Sequence, residues 1–534
     1  MNKKSKANTI NVSQQFLNKF GSHIQGCLCG FDRLRLRGTL RHLFQPTVME
    51  SYLNACRVLI KDFSRFAEGI TNRAKQAMNQ IAEKANRPLI YLNSSQISKE
   101  EEAKKIAAKD GIRDGLVAIL TCVEPCMSYR VRGDRQSKKI HLVLEPRKCL
   151  FYYHYFLHPT FGWMHARVQT WFPFTIDFCI NGRHWLSRQM DQAGLEYRKE
   201  ENCFVWISDW TKAQKLMDKQ LKTDWPKSLK KILGEVLPTH SQICRPIAQQ
   251  YYWTASQSEY ATDIVFKSPE FLSKLYPNFV HHSISSFASP DVMRFLGRSV
   301  PTTTGRVHGK FEGEIISDMK HRPEGIRVKH TLKGNSIKLY DKQGRMIRVE
   351  TTINHPEEFK VYRHSERDPQ GELAWRELRR GVADLHRRAE VSKAANNRYL
   401  DALESTCGTE PIATLVSKVC RRRTIKGNKY RGLRPWSPED HLLLESISSG
   451  EYTINGFRNG DLRKLLYSKK ATKQEQRRRS SAITRKLRLL RAHGIIRKVS
   501  GTHRYVVTGQ GRKILTALMA AYKADVDQLT KLAA

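Results

Sequence analysis

Residues 437–508 are punctuated so tightly that one order of elements fits them. Ser437-Pro438-Glu439-Asp440 opens a helix, with a hydroxyl at the N-cap, proline at the first helical position and acids against the positive end of the dipole. Gly450 closes that helix, and a short second one is expected around Asp461–Leu466. A long basic third helix follows, from about Lys473 to His493. Within it Ile483, Leu487 and Leu490 stand at i, i+4 and i+7, so they share one apolar stripe. Gln474, Arg478, Ser481, Arg485 and Arg488 fall on the opposite side. Gly494 ends the helix in the left-handed conformation. Ile495–Val499 and Arg504–Thr508 then alternate as two strands, joined by the Ser500-Gly501-Thr502-His503 turn.

Charge points to the partner. The chain of 534 residues carries 93 Lys+Arg against 51 Asp+Glu, a net +42, and from Arg421 onward the count is 27 against 8. Cations placed on phosphates release condensed counterions, so such a surface binds nucleic acid with a steep salt dependence. The stretch Arg421-Arg422-Arg423-Thr424-Ile425-Lys426-Gly427-Asn428-Lys429-Tyr430-Arg431 reads as a basic linker, either tracking a nucleic-acid backbone or serving as a solvated tether. No membrane partner is expected. No terminal amphipathic basic helix is present, no segment has the roughly 20 apolar residues of a span, and Met1-Asn2-Lys3-Lys4 does not open a signal peptide. Eleven scattered cysteines suit a reducing cytoplasm, and a nucleoid-associated place in a bacterium fits the charge. Cys27-Leu28-Cys29 and Cys122-Val123-Glu124-Pro125-Cys126 lack zinc-ribbon spacing, so no metal site is expected there.

The run Arg485-Lys486-Leu487-Arg488-Leu489-Leu490-Arg491-Ala492-His493-Gly494-Ile495-Ile496-Arg497-Lys498 resembles the end of a recognition helix entering the first strand of a wing. Pro435–Tyr522 as a whole is similar to winged helix-turn-helix DNA-binding domains of the MarR-like kind. The resemblance implies that the third helix enters the major groove while the wing touches phosphate or the minor groove. It would set Arg478, Ser481, Arg485 and Arg488 toward bases, and Lys498, His503 and Arg504 toward the backbone. The same module used for protein contacts is the competing reading. MarR-like proteins dimerise through flanking helices, of which only the terminal one is in place here. Glu124-Pro125-Cys126, Gln169-Thr170-Trp171-Phe172-Pro173-Phe174, Phe295-Leu296-Gly297-Arg298 and Asn455-Gly456-Phe457-Arg458-Asn459 resemble segments of a bacterial protein family, which implies no activity.

Ahead of the module the expected fold is multidomain α+β: a mixed helix and antiparallel-sheet body with a C-terminal winged helix-turn-helix domain. Residues 1–86 read as a helical N-terminal region ending in a polar helix near Arg73–Asn86. Residues 87–300 read as an α+β body. It has a short strand at Pro88–Asn93, a capping box at Ser98-Lys99-Glu100-Glu101, and strands at Leu116–Val123, Lys139–Glu145, Cys149–Tyr155, Met164–Trp171 and Thr175–Ile180. A helix from Asn181-Gly182-Arg183 and a helix-rich stretch follow. Residues 301–405 form a β-meander (Ile326–His330, Ser336–Tyr340, Met346–Ile353) plus a long connecting helix, 406–434 the basic linker, and 435–534 the terminal domain.

One segment of the body invites chemistry. Lys338-Leu339-Tyr340-Asp341-Lys342 followed by Ile347-Arg348-Val349-Glu350-Thr351 resembles replication initiators of filamentous phages and plasmids. That resemblance implies Tyr340 as a nucleophile, with Asp341 and Glu350 holding Mg²⁺ if the hairpin brings them together. Alternation sets Tyr340 and Asp341 on opposite faces, and a plain hairpin explains the segment as well. No His-apolar-His motif occurs, since His281-His282 are adjacent. Glu259 and Asp263, at i and i+4, would share a helix face. Phosphate loops, dinucleotide fingerprints, nucleophile elbows and zinc-protease motifs are absent. Phe151-Tyr152-Tyr153-His154-Tyr155 and Trp163 to Phe174, near Arg147, Lys148, Arg167 and Arg183, either stack unpaired bases or fill a core. The favoured reading is a double-stranded-DNA-binding protein of a mobile or replicating element, for which no cofactor is expected. The alternatives are a Mg²⁺-dependent nuclease or nicking initiator and an RNA-binding protein.

Overall fold

In a computed structural model, residues 12–523 are described, apart from 135, 137, 286, 288, 298–301, 304–305, 308–314, 366–367, 406–411, 426, 449–455, 468–471 and 500–501. The protein is a mixed α+β protein that divides into two compact units. One comprises Gly30–Glu259 with Arg379–His386; the other comprises Met1–Cys29, Tyr260–Leu378 and Arg387–Ala534. No helix among the described residues is long and apolar enough to cross a membrane.

The first unit is built on a mixed sheet. Its strands run in the order Ile24–Thr39 (from Gly30 on), Ile176–Asn181, Gly162–Gln169, Lys139–His158, Gly115–Asp134 and Leu89–Leu92. All neighbours are antiparallel except the last pair, which is parallel. The local sequence sets the helix starts. Ser98 Oγ accepts from Glu101 N–H, Asn181 caps Gly182–Gln192, and Asp209 and Asp224 cap the two helices that follow.

Two differences from the sequence reading matter here. The strand Ile24–Thr39 lies in the N-terminal region expected to be helical. Leu34, Leu36 and Gly38 are buried while Arg35 and Arg37 are exposed, a period of two. The pattern is obscured before them, where Leu28 to Asp32 are buried without a break. The other difference is continuity: Lys139–His158 is one strand, although Pro146 interrupts its apolar pattern. Proline is tolerated because no third strand pairs with this stretch, so no ladder donor is lost.

The aromatic run is core. Phe151, Tyr153 and Tyr155 pack with Leu92, Ala103, Val117 and Leu120, and Phe172 and Phe174 are fully buried. Stacking of unpaired bases on these rings has no surface to use.

The second unit contains the meander Ile316–Arg322, Gly325–Leu332, Asn335–Lys342 and Met346–Ile353, beside the Tyr260–Phe266 end of the strand Tyr252–Phe266. That last strand occupies part of the stretch expected to be helix-rich. The long connecting helix, expected from about Leu373 to Leu403, starts only at Leu385 and runs to Ser405; Ala374–Glu377 ahead of it is a strand. The region expected as a linker holds α1 (Ile412–Cys420) and a hairpin of β1 (Arg423–Ile425) and β2 (Asn428–Tyr430); Lys426 lies outside the described residues.

Candidate nucleic-acid interface

The C-terminal elements of the second unit are α2 (Pro438–Ile447), α3 (Asn459–Leu466), α4 (Lys473–Ala492), β3 (Ile496–Lys498), β4 (Tyr505–Val507) and α5 (Gly509–Lys523). Side-chain caps hold the starts of α2 and α4, of which that at Ser437 was expected. Ser437 accepts from Asp440 N–H, and Thr472 accepts from Glu475 N–H. Gly494 takes the left-handed conformation at φ +71°. The expected stop at Gly450 and the Ser500-Gly501 part of the turn lie outside the described residues.

Ile483, Leu487 and Leu490 are buried in one core with Leu443, Leu444, Phe457, Leu462, Ile495 and Ile514, to which α1 adds Leu415, Val416 and Val419. Arg478, Ser481, Arg485 and Arg488 all face outward and are exposed. The charges of α4 are sorted by side. Arg479 pairs with Glu475 at 3.1 Å and Lys486 with Glu439 at 2.8 Å. Among the described residues, Arg478, Arg485 and Arg488 make no ion pair. The fold therefore uses some of the cations and leaves one face of the helix uncompensated.

Several side chains that hold this face went unassigned in the sequence. Asn459 Nδ2 donates to Ser480 O at 2.8 Å and Thr484 Oγ1 at 3.0 Å, and Ser480 Oγ returns a bond to Asn459 Oδ1 at 3.2 Å. This ties the start of α3 to the middle of α4. Phe457 exchanges both backbone hydrogen bonds with Tyr505, at 2.9 and 2.8 Å, a single bridge on the edge of the hairpin. Phe457 and Asn459 belong to the Asn455-to-Asn459 segment, which the sequence marked only by its resemblance to a bacterial protein family; Asn455 itself lies outside the described residues. Arg431 forks onto Asp440 with two 2.6 Å hydrogen bonds, and Arg434 N–H adds a third at 2.8 Å. Burial pushes the Asp440 carboxyl up, but these donors outweigh it and hold it below the usual range. Arg431 is thus anchored rather than part of a tether.

The hairpin residues divide. Lys498 and His503 are exposed. Arg504, expected at the DNA backbone, is half-buried with its guanidinium 3.6 Å from the Tyr362 ring centroid. Cation–π contact with a ring from the strand Lys360–Arg363 competes with solvent for it. Arg423 and Lys429, across from each other's neighbours in the β1–β2 hairpin, are also exposed.

The residues considered for cleavage are placed differently. Lys338 pairs across the ladder with Glu350, and Lys338 Nζ lies 2.6 Å from Glu350 Oε1 with both side chains buried. Tyr340, opposite Arg348, shares that face of the sheet. Asp341, opposite Ile347, is on the other face, and its carboxylate accepts from Gly344 N–H at 3.1 Å in the hairpin turn. Burial pushes the Asp341 carboxyl up. Asp341 and Glu350 are therefore not brought together. Glu259 and Asp263 lie on a strand, not a helix. Asp263 forms a buried bidentate pair with Arg348, at 2.6 and 2.9 Å, while Glu259 is 3.8 Å from Arg33 Nε.

Set against known family models, curated proteins and solved structures, the chain matches none of them.

Proposed function

We propose that the protein binds double-stranded DNA through a C-terminal winged helix-turn-helix, with α4 as the recognition helix and the β3–β4 hairpin as the wing. The observation that carries this reading is the sorting of charge on α4. Arg478, Ser481, Arg485 and Arg488 form an exposed stripe opposite a fully buried one, and the three arginines have no ion pair among the described residues. An arginine on a helix of this width reaches G O6 and N7 from the major groove, and each good bidentate pair discriminates by about 1–3 kcal/mol. Lys498 and His503 supply phosphate contacts, as do Arg423 and Lys429 ahead of the module. Arg504 supports the wing from Tyr362 instead. No cofactor enters this reading.

The test is a binding-site selection followed by anisotropy titration. The double variant Arg485→Ala/Arg488→Ala lowers the ratio of specific to non-specific affinity by at least tenfold, whereas Lys429→Ala weakens all sequences evenly and reduces the salt slope by about 1. Equal loss on all sequences for both variants would show that α4 does not read bases.

A further inference from the structure

The strands Gly115–Asp134 and Lys139–His158 are each 20 residues long, far longer than their neighbours. Leu89–Leu92 meets Gly115–Asp134 only at 119–122, and Gly162–Gln169 meets Lys139–His158 only at 151–158. The rest is a two-stranded ribbon. At its base, Tyr129 N–H donates to Phe172 O at 3.3 Å and Tyr129 O accepts from the Trp171 indole at 2.9 Å. Beyond Tyr129 neither strand has a third neighbour among the described residues.

The ribbon is two-faced. Register sets Tyr129, Val131, Leu142 and Leu144 on one side, where Tyr129 and Leu142 are buried; the Tyr129 ring lies edge-on to Phe63. The other side carries Arg130, Arg132, Lys139 and His141, all exposed, with Lys138 exposed at the turn. The acids there are few: Glu145 is shared by Arg130 at 3.3 Å and Arg132 at 2.6 Å, and Asp134 Oδ1 accepts from Gln136 N–H in the turn. The two arginine side chains are 47% and 49% exposed, so these pairs add little to stability. Pro125 and Pro146 leave outward-facing edge positions near the base without a donor, which discourages pairing with another strand.

We propose that the free end of this ribbon, Arg130–Asp134 with Lys139–Val143, is a second nucleic-acid contact that grips duplex DNA through its phosphates. It belongs to the other unit from α4 and stands independently of it. The exposed face from Tyr129 to Asp134 runs about 17 Å at ~3.4 Å per residue, and a duplex offers one negative charge per about 1.7 Å of its axis. Arg130 and Arg132 are shared out on Glu145, and the other cations of this face are Lys138 and Lys139, which act as point charges, so the contact is one of backbone charge.

The experiment uses the full chain and a random-sequence DNA duplex, titrated by anisotropy between about 50 and 200 mM salt. Arg130→Ala/Arg132→Ala/Lys138→Ala/Lys139→Ala is expected to weaken binding at least tenfold and to flatten the slope of log affinity against log salt by about 3. Lys138→Ala/Lys139→Ala, which touches no ion pair among the described residues, gives about half that change with an unaltered melting temperature, and Lys138→Arg/Lys139→Arg restores the wild-type slope. Wild-type affinity and slope in the quadruple variant overturn the proposal. So does a photo-crosslink from position 140 to a second copy of the chain rather than to DNA. Loss in the ribbon variants with none in Arg485→Ala/Arg488→Ala leaves this contact standing and removes the recognition role of α4. The converse result removes the ribbon alone, and a chain that binds no duplex at all removes both.

Discussion

Gly456 shows how much a single residue decides in the terminal module. It takes φ +66°, a region that L side chains rarely adopt, and a Cβ there would lie 2.2 Å from Tyr505 O. That carbonyl is the acceptor of the Phe457 N–H, so any side chain at 456 presses on the hydrogen bonds that attach Phe457 to the hairpin. Gly456→Ala is expected to destabilise the module by about 2 kcal/mol or more, read from urea denaturation followed by Trp436 fluorescence. A change within about 0.5 kcal/mol would mean that the backbone moves aside at no cost. The glycine is visible in the sequence, but its need is not, because the clashing atom comes from residue 505.

At the scale of elements, α4 has two faces with opposite sensitivities. Leu487 is 1% exposed amid the core of α1 to α5, so Leu487→Ala leaves a cavity and costs about 2–5 kcal/mol. Arg485→Ala, two residues earlier on the exposed face, stays within about 0.5 kcal/mol in the same denaturation measurement. A large loss at Arg485 would assign that face to packing. The helical period made this division readable before the structure, since apolar residues at i, i+4 and i+7 admit one buried side. Strands were less legible where both faces are covered. Ile24–Thr39 shows alternation only from Arg33 on, and Tyr252–Phe266 is buried continuously from Tyr260 to Phe266. The pairing of Lys338 with Glu350, and the separation of Asp341 from both, depended on a register that no local pattern specifies.

Across the whole molecule, histidines buried in the neutral form couple folding to pH. His154 is fully buried, and among the described residues neither ring nitrogen has a hydrogen-bond partner; burial lowers its pKa to about 3. Burial likewise takes His184 to about 3, and His282 and His330 to about 4. The unfolded chain protonates these rings near 6.5 and the folded one does not, so the unfolded state binds more protons between those values. Stability is full above about pH 6.5 and falls as the pH drops toward 4, by up to about 1.4 kcal/mol per unit for each such ring. The melting temperature is expected to decline from pH 6.5 to 4.5, and His154→Leu makes that decline shallower. A flat profile would show that these rings stay hydrated. By itself the sequence determined what local rules control: the capped start of α2, the buried and exposed stripes of α4, the left-handed stop at Gly494 and the excess of positive charge. Only the tertiary structure decided which charges are spent on the fold and which are left over. Arg431, Arg348, Lys338 and Arg504 look in sequence like Arg478, Arg485 and Arg488, but the first four meet Asp440, Asp263, Glu350 and Tyr362. The physical reason is that a cation's role depends on what lies within a few ångströms of it, and those neighbours are 9, 85, 12 and 142 residues away along the chain.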